Sequence, residues 1–295
     1  MKKIAFDTRF EPPFETAVRL SPLLRRLTCN NPSPFTFKGT NTFVVGQGNV
    51  AIIDPGPDDE AHFMALLNAV RGESVTHILV THRHMDHSPL AAKLSAETGA
   101  RIYGANFPVN SMANSGIRLD ASIDHAFAPD FLLSDGDVVG GKGWALEAVF
   151  TPGHLADHMS FSLKGEKALL VGDHVMSWAT TVIAPPEGNM NDYMGSLRKL
   201  LKRDEEIYHP AHGPERRKPL TLVRGILAHR KMREEAIYNR VKAGDGAIAE
   251  IVAHIYADID PRLHGAAGLS TLAHLEHLRA KGRIELRDGV YFARK

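Results

Sequence analysis

The sequence predicts an α/β protein. A large domain of two β-sheets sandwiched between helices is followed by a small α+β module of winged-helix type. Three observations predict this. Short β-branched apolar runs alternate with amphipathic stretches through residues 35–210, the order in which strands feed helices. Several runs end in Gly- or Pro-punctuated loops carrying His or Asp, at 82–87, 154, 173 and 212. After a break at Gly244-Asp245-Gly246 the chain reads helix, helix, hairpin.

The elements follow in order. Phe35-Thr36-Phe37, Thr42 to Gly46 and Val50 to Ile53 read as strands, the last two joined by the turn Gly46-Gln47-Gly48-Asn49. A helix follows Asp54-Pro55-Gly56-Pro57, with Ala61, Met64, Leu67 and Val70 as its apolar face. Val75 to Val80 is a buried strand, and Ser88-Pro89 opens a helix carrying Leu90, Ala91, Leu94 and Ala96. Ala100 to Gly104 is a short strand, and the irregular stretch 105–130 is expected to wall the site. Ser134 to Asp137 is a turn. Trp144 to Phe150, Met159 to Leu163 and Ala168 to Val171 are strands, Asn191 to Leu201 a helix, and Glu206 to Tyr208 a strand.

Residues 1–219 thus form the large domain and 220–246 a basic linking helix. In that helix Leu222, Ile226, Leu227 and Ile237 make an apolar stripe, with Arg224, Arg230, Lys231, Arg233, Arg240 and Lys242 on the other faces, read as a solvated face or, for a nuclease, a track for a phosphate backbone. Residues 247–295 form the winged-helix-like domain: a helix over Ala247–Tyr256, a second over Leu272–Lys281 capped by Ser270, and a hairpin around Asp288-Gly289. The second helix carries few side chains suited to reading bases, so it is assigned to packing or to the substrate wall rather than to DNA.

Composition narrows the class. With 43% hydrophobic and 23% charged residues the chain is of globular type, and a net charge of +1 gives no overall bias toward nucleic acid or membrane. No apolar run approaches the length of a membrane span, and the first residues, charged and broken by Pro12 and Pro13, are not expected to form a signal peptide. The cytoplasm is the default compartment. Cys29 is the only cysteine, so a metal site must be built from His and Asp rather than thiolate.

His82, His84, Asp86 and His87 fall within six positions of one loop, between a buried strand and a helix. A loop there converges side chains on one point, as a regular helix or strand does not. Imidazole suits zinc, and an adjacent carboxylate suits a harder coordination position. His154, Asp173 and His212 each follow a predicted strand in the same way. Seven such ligands exceed the four of one tetrahedral zinc and match two ions sharing a carboxylate and a hydroxide.

Thr81 to His87, Thr151-Pro152-Gly153-His154, Gly172-Asp173 and Ala211-His212-Gly213, preceded by Asp54 at a strand end, resemble in order the motifs of the metallo-β-lactamase superfamily. The resemblance implies an αββα sandwich with the site at one edge. It implies His82, His84 and His154 on one ion, Asp86, His87 and His212 on the other, Asp173 bridging, and Asp54 orienting a ligand. It gives Asp86 a catalytic part, orienting the nucleophile or shuttling its proton. Asp173 stands where the best-known antibiotic-hydrolysing enzymes carry cysteine, and His84 where the di-iron flavoprotein branch carries glutamate. Gly39-Thr40-Asn41-Thr42, His154 to Met159, Asp192 to Leu197 and Ala228-His229-Arg230 are similar to signatures of the lactamase-β-like protein 2 group, which also carries a C-terminal winged-helix-like domain. Ser88-Pro89 departs from the glycine pair of many relatives.

The implied activity is metal-dependent hydrolysis with two divalent ions, zinc first and manganese or iron after it. The substrate is a small ester-like or thioester molecule or single-stranded RNA; oligomeric state is left open. Two readings of other classes stand beside it: a mononuclear iron persulfide dioxygenase, and a nucleic-acid-binding protein whose winged module is primary. Among lesser features, His77 reads as a packed strand residue and His125 as incidental. His158 and His174 are candidates to support the ligands, while Asn41 and Tyr193 serve substrate or packing equally well.

Overall fold

A computed structural model describes residues 4–105, 123–257 and 264–294. Its first sheet has seven strands in sequence order: β1 (Val18–Arg19), β2 (Leu24–Thr28), β3 (Asn41–Gln47), β4 (Asn49–Ile53), β5 (Ser74–Leu79), β6 (Arg101–Ala105) and β7 (Phe131–Leu133). Pairing is antiparallel from β1 to β4 and parallel from β4 to β7. Parallel neighbours need crossovers, which α1 (Glu60–Ala69) supplies between β4 and β5 and α2 (Leu90–Thr98) between β5 and β6.

The second sheet has six strands: β8 (Val138–Gly141), β9 (Trp144–Phe150), β10 (Met159–Leu163), β11 (Ala168–Gly172), β12 (Ile207–Pro210) and β13 (Arg216–Arg217), with β11 and β12 parallel across α3 (Met190–Leu200). Alternation along the strands builds three layers of core. Phe43, Val45, Ala51 and Ile53 meet Leu146, Ala148, Phe161 and Leu170 between the sheets. Val44, Val50 and Ile52 face outward to Phe63, Leu66, Leu90 and Leu94 of α1 and α2. Leu169 and Val171 face Tyr193 and Leu197 of α3 and Leu222, Val223 and Ile226 of α4 (Leu220–Lys242). The expected sandwich of two sheets between helices is therefore present.

The C-terminal unit holds α5 (Ile248–Ile255), α6 (His264–Ala280) and the hairpin of β14 (Ile284–Arg287) and β15 (Val290–Ala293). Its core joins Ile251, Leu275, Leu278, Ile284 and Tyr291 to Ile237 and Val241 from the far end of α4. No helix among the described residues is long and apolar enough to cross a membrane.

Several expectations are corrected. Phe35-Thr36-Phe37 is a turn, because Ser33 Oγ accepts from the backbone N–H groups of Phe35 and Thr36 and closes the chain locally. The buried face of α1 is His62, Phe63 and Leu66, not the Met64 face; Met64 is exposed, and His62 turns inward to Glu15 and Thr42. Ser270 lies inside α6 and is not its N-cap. Arg230 is buried rather than on a solvated face. Of the expected site wall, residues 106–122 lie outside the described residues.

Candidate metal centre

Each expected ligand sits beyond the C-terminal end of a strand, and these ends meet at one edge of the sandwich. The loop after β5 carries His82, His84, Asp86 and His87; the loops after β9, β11 and β12 carry His154, Asp173 and His212. Two glycines set the approach. Gly153 has φ of 135°, and a Cβ there would lie 2.3 Å from the Tyr193 backbone, so the loop holding His154 rests directly on α3. Gly172, at φ 52°, leaves room for the His158 ring, which a Cβ would meet at 2.6 Å.

The side chains form two groups. In the first, His84 Nδ1 lies 2.9 Å from His82 Nε2 and 3.2 Å from His154 Nε2, and His154 Nε2 lies 3.6 Å from Asp173 Oδ2. In the second, Asp86 Oδ2 lies 3.3 Å from His87 Nε2 and 3.2 Å from His212 Nε2. Asp173 Oδ1 lies 3.8 Å and 3.3 Å from the same two nitrogens. One carboxylate thus turns a different oxygen to each group, the placement a bridging ligand needs. Within each group the donor atoms lie within 4.8 Å of one another.

The donors suit divalent ions. His87 Nδ1 donates to Asp54 Oδ2 at 3.0 Å, His154 Nδ1 to the Val182 carbonyl at 2.7 Å, and His212 Nδ1 to the Gly39 carbonyl at 3.2 Å. Protons fixed there leave the Nε2 lone pairs free toward the centre, the usual support for metal-ligating histidines. His87 Nε2 and Asp173 Oδ1 are buried without a hydrogen-bond partner among the described residues. Buried polar atoms seldom stay so unless an ion or water completes them.

The charges agree. Burial, then the neighbouring His87, drives His82 well below its usual range, and burial with His154 lowers His84 to about 3, so both rings are neutral, the form that can ligate. Burial opposes charge on His212, yet Asp173 and Asp86 raise it to about 10; they and Asp54 likewise raise His87 against burial. The carboxylates call for positive charge at this point, which a divalent ion supplies as a proton does. Burial would raise Asp86, but His87 and His212 hold it well below the usual carboxylate range, so it is ionised.

Asp54 serves both groups. Its Oδ1 accepts from the Thr81 backbone N–H at 2.7 Å, and its Oδ2 accepts from Thr81 Oγ1 at 2.8 Å and from His87. Thr81 Oγ1 in turn accepts from His82 Nδ1 at 2.9 Å. Sequence reading placed Thr81 in the first motif but gave it no role, and it missed the carbonyl of Val182, which leaves no signal.

Other features resolve as support. His158 Nε2 accepts the Asp173 backbone N–H at 3.1 Å. His174 packs on Tyr193, whose hydroxyl donates to the His174 carbonyl at 3.0 Å. Asn41 is fully buried, and its Nδ2 donates to the carbonyls of Pro210 and Gly213 on either side of His212. Asn41 and Tyr193 therefore hold loops. Ser88 ties the ligand loop to Asp124 at 2.6 Å. His77, stacked on Tyr103, stands apart from the centre, and His125 is exposed.

Residues 35–212 match the family model described as the metallo-beta-lactamase superfamily. The chain belongs to that superfamily. Residues 247–289 match the beta-lactamase associated winged helix domain, so the C-terminal helices and hairpin are of the expected type. A Caenorhabditis elegans relative named beta-lactamase-like protein 2 homolog is 30% identical over 83% of this chain and 80% of its own length, as the resemblance implied. An atrochrysone carboxyl ACP thioesterase from Paecilomyces divaricatus is 28% identical over 86% of this chain and 76% of its own length. Among solved structures, a metallo-beta-lactamase family protein from Thermus thermophilus superposes with a TM-score of 0.77 at 24% identity, covering 94% of this chain and all of that one. A superfamily hydrolase is thus the enzyme class of the chain.

Proposed function

We infer that this hydrolase uses two divalent ions, zinc by ligand type, to cleave the thioester or ester bond of a small acyl substrate. The observation that supports the two-ion reading is the division of Asp173, one oxygen toward each ligand group. The thioester reading draws on the Paecilomyces divaricatus relative, named for that activity. When bound, such ions supply a water activated near neutral pH and a positive charge for oxygen on the substrate.

The protein's own residues do the rest. His82, His87 and His212 are buried, while His84, Asp86 and His154 are less enclosed, so substrate approaches across these three. Met85, between two of them, is 42% exposed and offers an adaptable apolar contact for an acyl chain. Asp86 is ionised and 26% exposed at its side chain, so its carboxylate accepts a hydrogen bond from the attacking water and orients it. Thr40 Oγ1, 3.3 Å from Asp86 Oδ2, fixes that carboxylate. The C–S or C–O bond breaks, the acyl carbon gains the hydroxyl, and the leaving sulfur or oxygen gains the proton.

The test is a substrate panel on zinc-loaded full-length protein: acyl-pantetheine thioesters, lactones and labelled single-stranded RNA, with Asp173→Ala as blank. Thiol release by the wild type alone is expected. RNA cleavage without thioester or ester turnover would overturn the substrate reading, and a single tightly held ion would overturn the two-ion reading.

A further inference from the structure

The Ala228-His229-Arg230 motif lies on α4, away from the loops that carry the expected ligands. Arg230 is nonetheless 3% exposed, on a helix whose Arg224, Lys231 and Lys242 are in water. A guanidinium held from water needs hydrogen-bonding partners, and one of those it has, the Thr181 carbonyl, leads toward the metal centre.

Arg230 Nη2 donates to the Thr181 carbonyl. Thr181, itself 1% exposed, turns Oγ1 back to donate its one proton to the Asp173 carbonyl at 2.6 Å, with the His174 carbonyl 3.2 Å away. The next carbonyl, of Val182, accepts from His154 Nδ1 at 2.7 Å. One guanidinium therefore pins a segment that holds the backbone of Asp173 and the ring tautomer of His154. Arg230 is fixed in turn: its guanidinium lies 5.4 Å from the Tyr193 ring centroid, and Nη1 reaches Ser270 Oγ of α6 at 3.5 Å. Two structural units thus meet on one side chain that stands two contacts away from two ligands.

We propose that Arg230 is a positioning residue that sets the affinity of the ion held by His82, His84, His154 and Asp173. The proposal rests on the metal-centre reading above and names which of its two ions depends on the C-terminal helices.

The test measures ion retention by competition with a chromogenic chelator, on full-length protein whose folding is checked by circular dichroism. Arg230→Met removes the anchor, Thr181→Val removes only the hydroxyl donor, and Thr181→Ser restores it. Arg230→Met and Thr181→Val are expected to weaken the ion on the His82, His84 and His154 side about 10- to 100-fold, the usual range for groups that orient metal ligands, and the other ion, which shares Asp173 but not His154, by less. Thr181→Ser is expected to recover most of the loss. The effect should persist in a His212→Ala background and vanish in a His84→Ala background. Lower thermal stability with unchanged ion affinity would mark Arg230 as merely structural and overturn the proposal, as would equal weakening of both ions. Should Arg230→Met fail to fold, the two Thr181 variants decide. Should the wild type hold a single ion, the two-ion reading fails and Arg230 is judged on that ion.

Discussion

Asp54→Asn separates charge from shape at the centre. Asp54 is 1% exposed with φ of 49°, a left-handed conformation that asparagine tolerates better than most residues. Its carboxylate accepts three hydrogen bonds: from the Thr81 N–H on Oδ1, and from Thr81 Oγ1 and His87 Nδ1 on Oδ2. An amide has one accepting oxygen. Turned one way its NH2 opposes the Thr81 backbone N–H; turned the other it opposes His87 Nδ1. The second costs less, because His87 can shift its proton to Nε2, but that proton then occupies the lone pair facing Asp86 and Asp173. Losing a hydrogen bond to a charged acceptor is worth about 1.5–3 kcal/mol. At 1.4 kcal/mol per tenfold, the ion shared by Asp86, His87 and His212 should bind about 10- to 100-fold more weakly. Chelator competition reads the affinity, and 15N NMR of the histidines reads the tautomer. An affinity within twofold of wild type, with His87 still protonated at Nδ1, would refute the reasoning.

Two other perturbations test the frame. Gly153→Ala should destabilise the protein by about 2–5 kcal/mol in urea unfolding, combining overpacking with backbone strain, since its Cβ would meet the Tyr193 backbone; a loss below about 1 kcal/mol would show that the loop yields. Glu147, hydrogen-bonded by Arg203 at 3.1 and 3.3 Å and paired with Lys164, is lowered from 4.5 to about 2, chiefly by Arg203. A carboxyl lowered by folding contributes stability above its unfolded pKa and loses it as pH falls through the folded value. Glu147→Gln should therefore flatten the fall in stability between about pH 4.5 and 2 in acid titrations followed by circular dichroism; an unchanged slope would count against the pair.

The convergence of the seven candidate ligands was legible because ligand-type side chains crowd loops between strongly apolar strands, a local pattern. The two sheets were legible for the same reason wherever both faces of a strand are apolar. Leu24 to Thr28 was not: Arg25 and Arg26 interrupt it, and only the folded chain shows Arg25 paired with Glu73 and Arg26 over the Phe10 ring. The face of α1 was misjudged because a histidine occupies its core side, satisfied by Glu15 and Thr42 from distant strands and loops. The start of α6 was hidden by Gly265 and Gly268, weak helix formers that tertiary packing overrides. Arg230 looked like one more surface cation because its main acceptor is a backbone carbonyl, and backbone acceptors leave no mark in a sequence.

The two ends of α4 belong to different cores: Leu222, Val223 and Ile226 complete the layer over α3, and Ile237 and Val241 complete the C-terminal unit. A helix shared in this way is no tether. Cutting the chain ahead of residue 220 would strip the outer cover from Tyr193 and Leu197 of α3, the helix on which the His154 loop rests. The C-terminal unit therefore does not behave as a detachable cargo. Swapping it for another would mean rebuilding a wall of the large domain, and the two units should melt together rather than in turn.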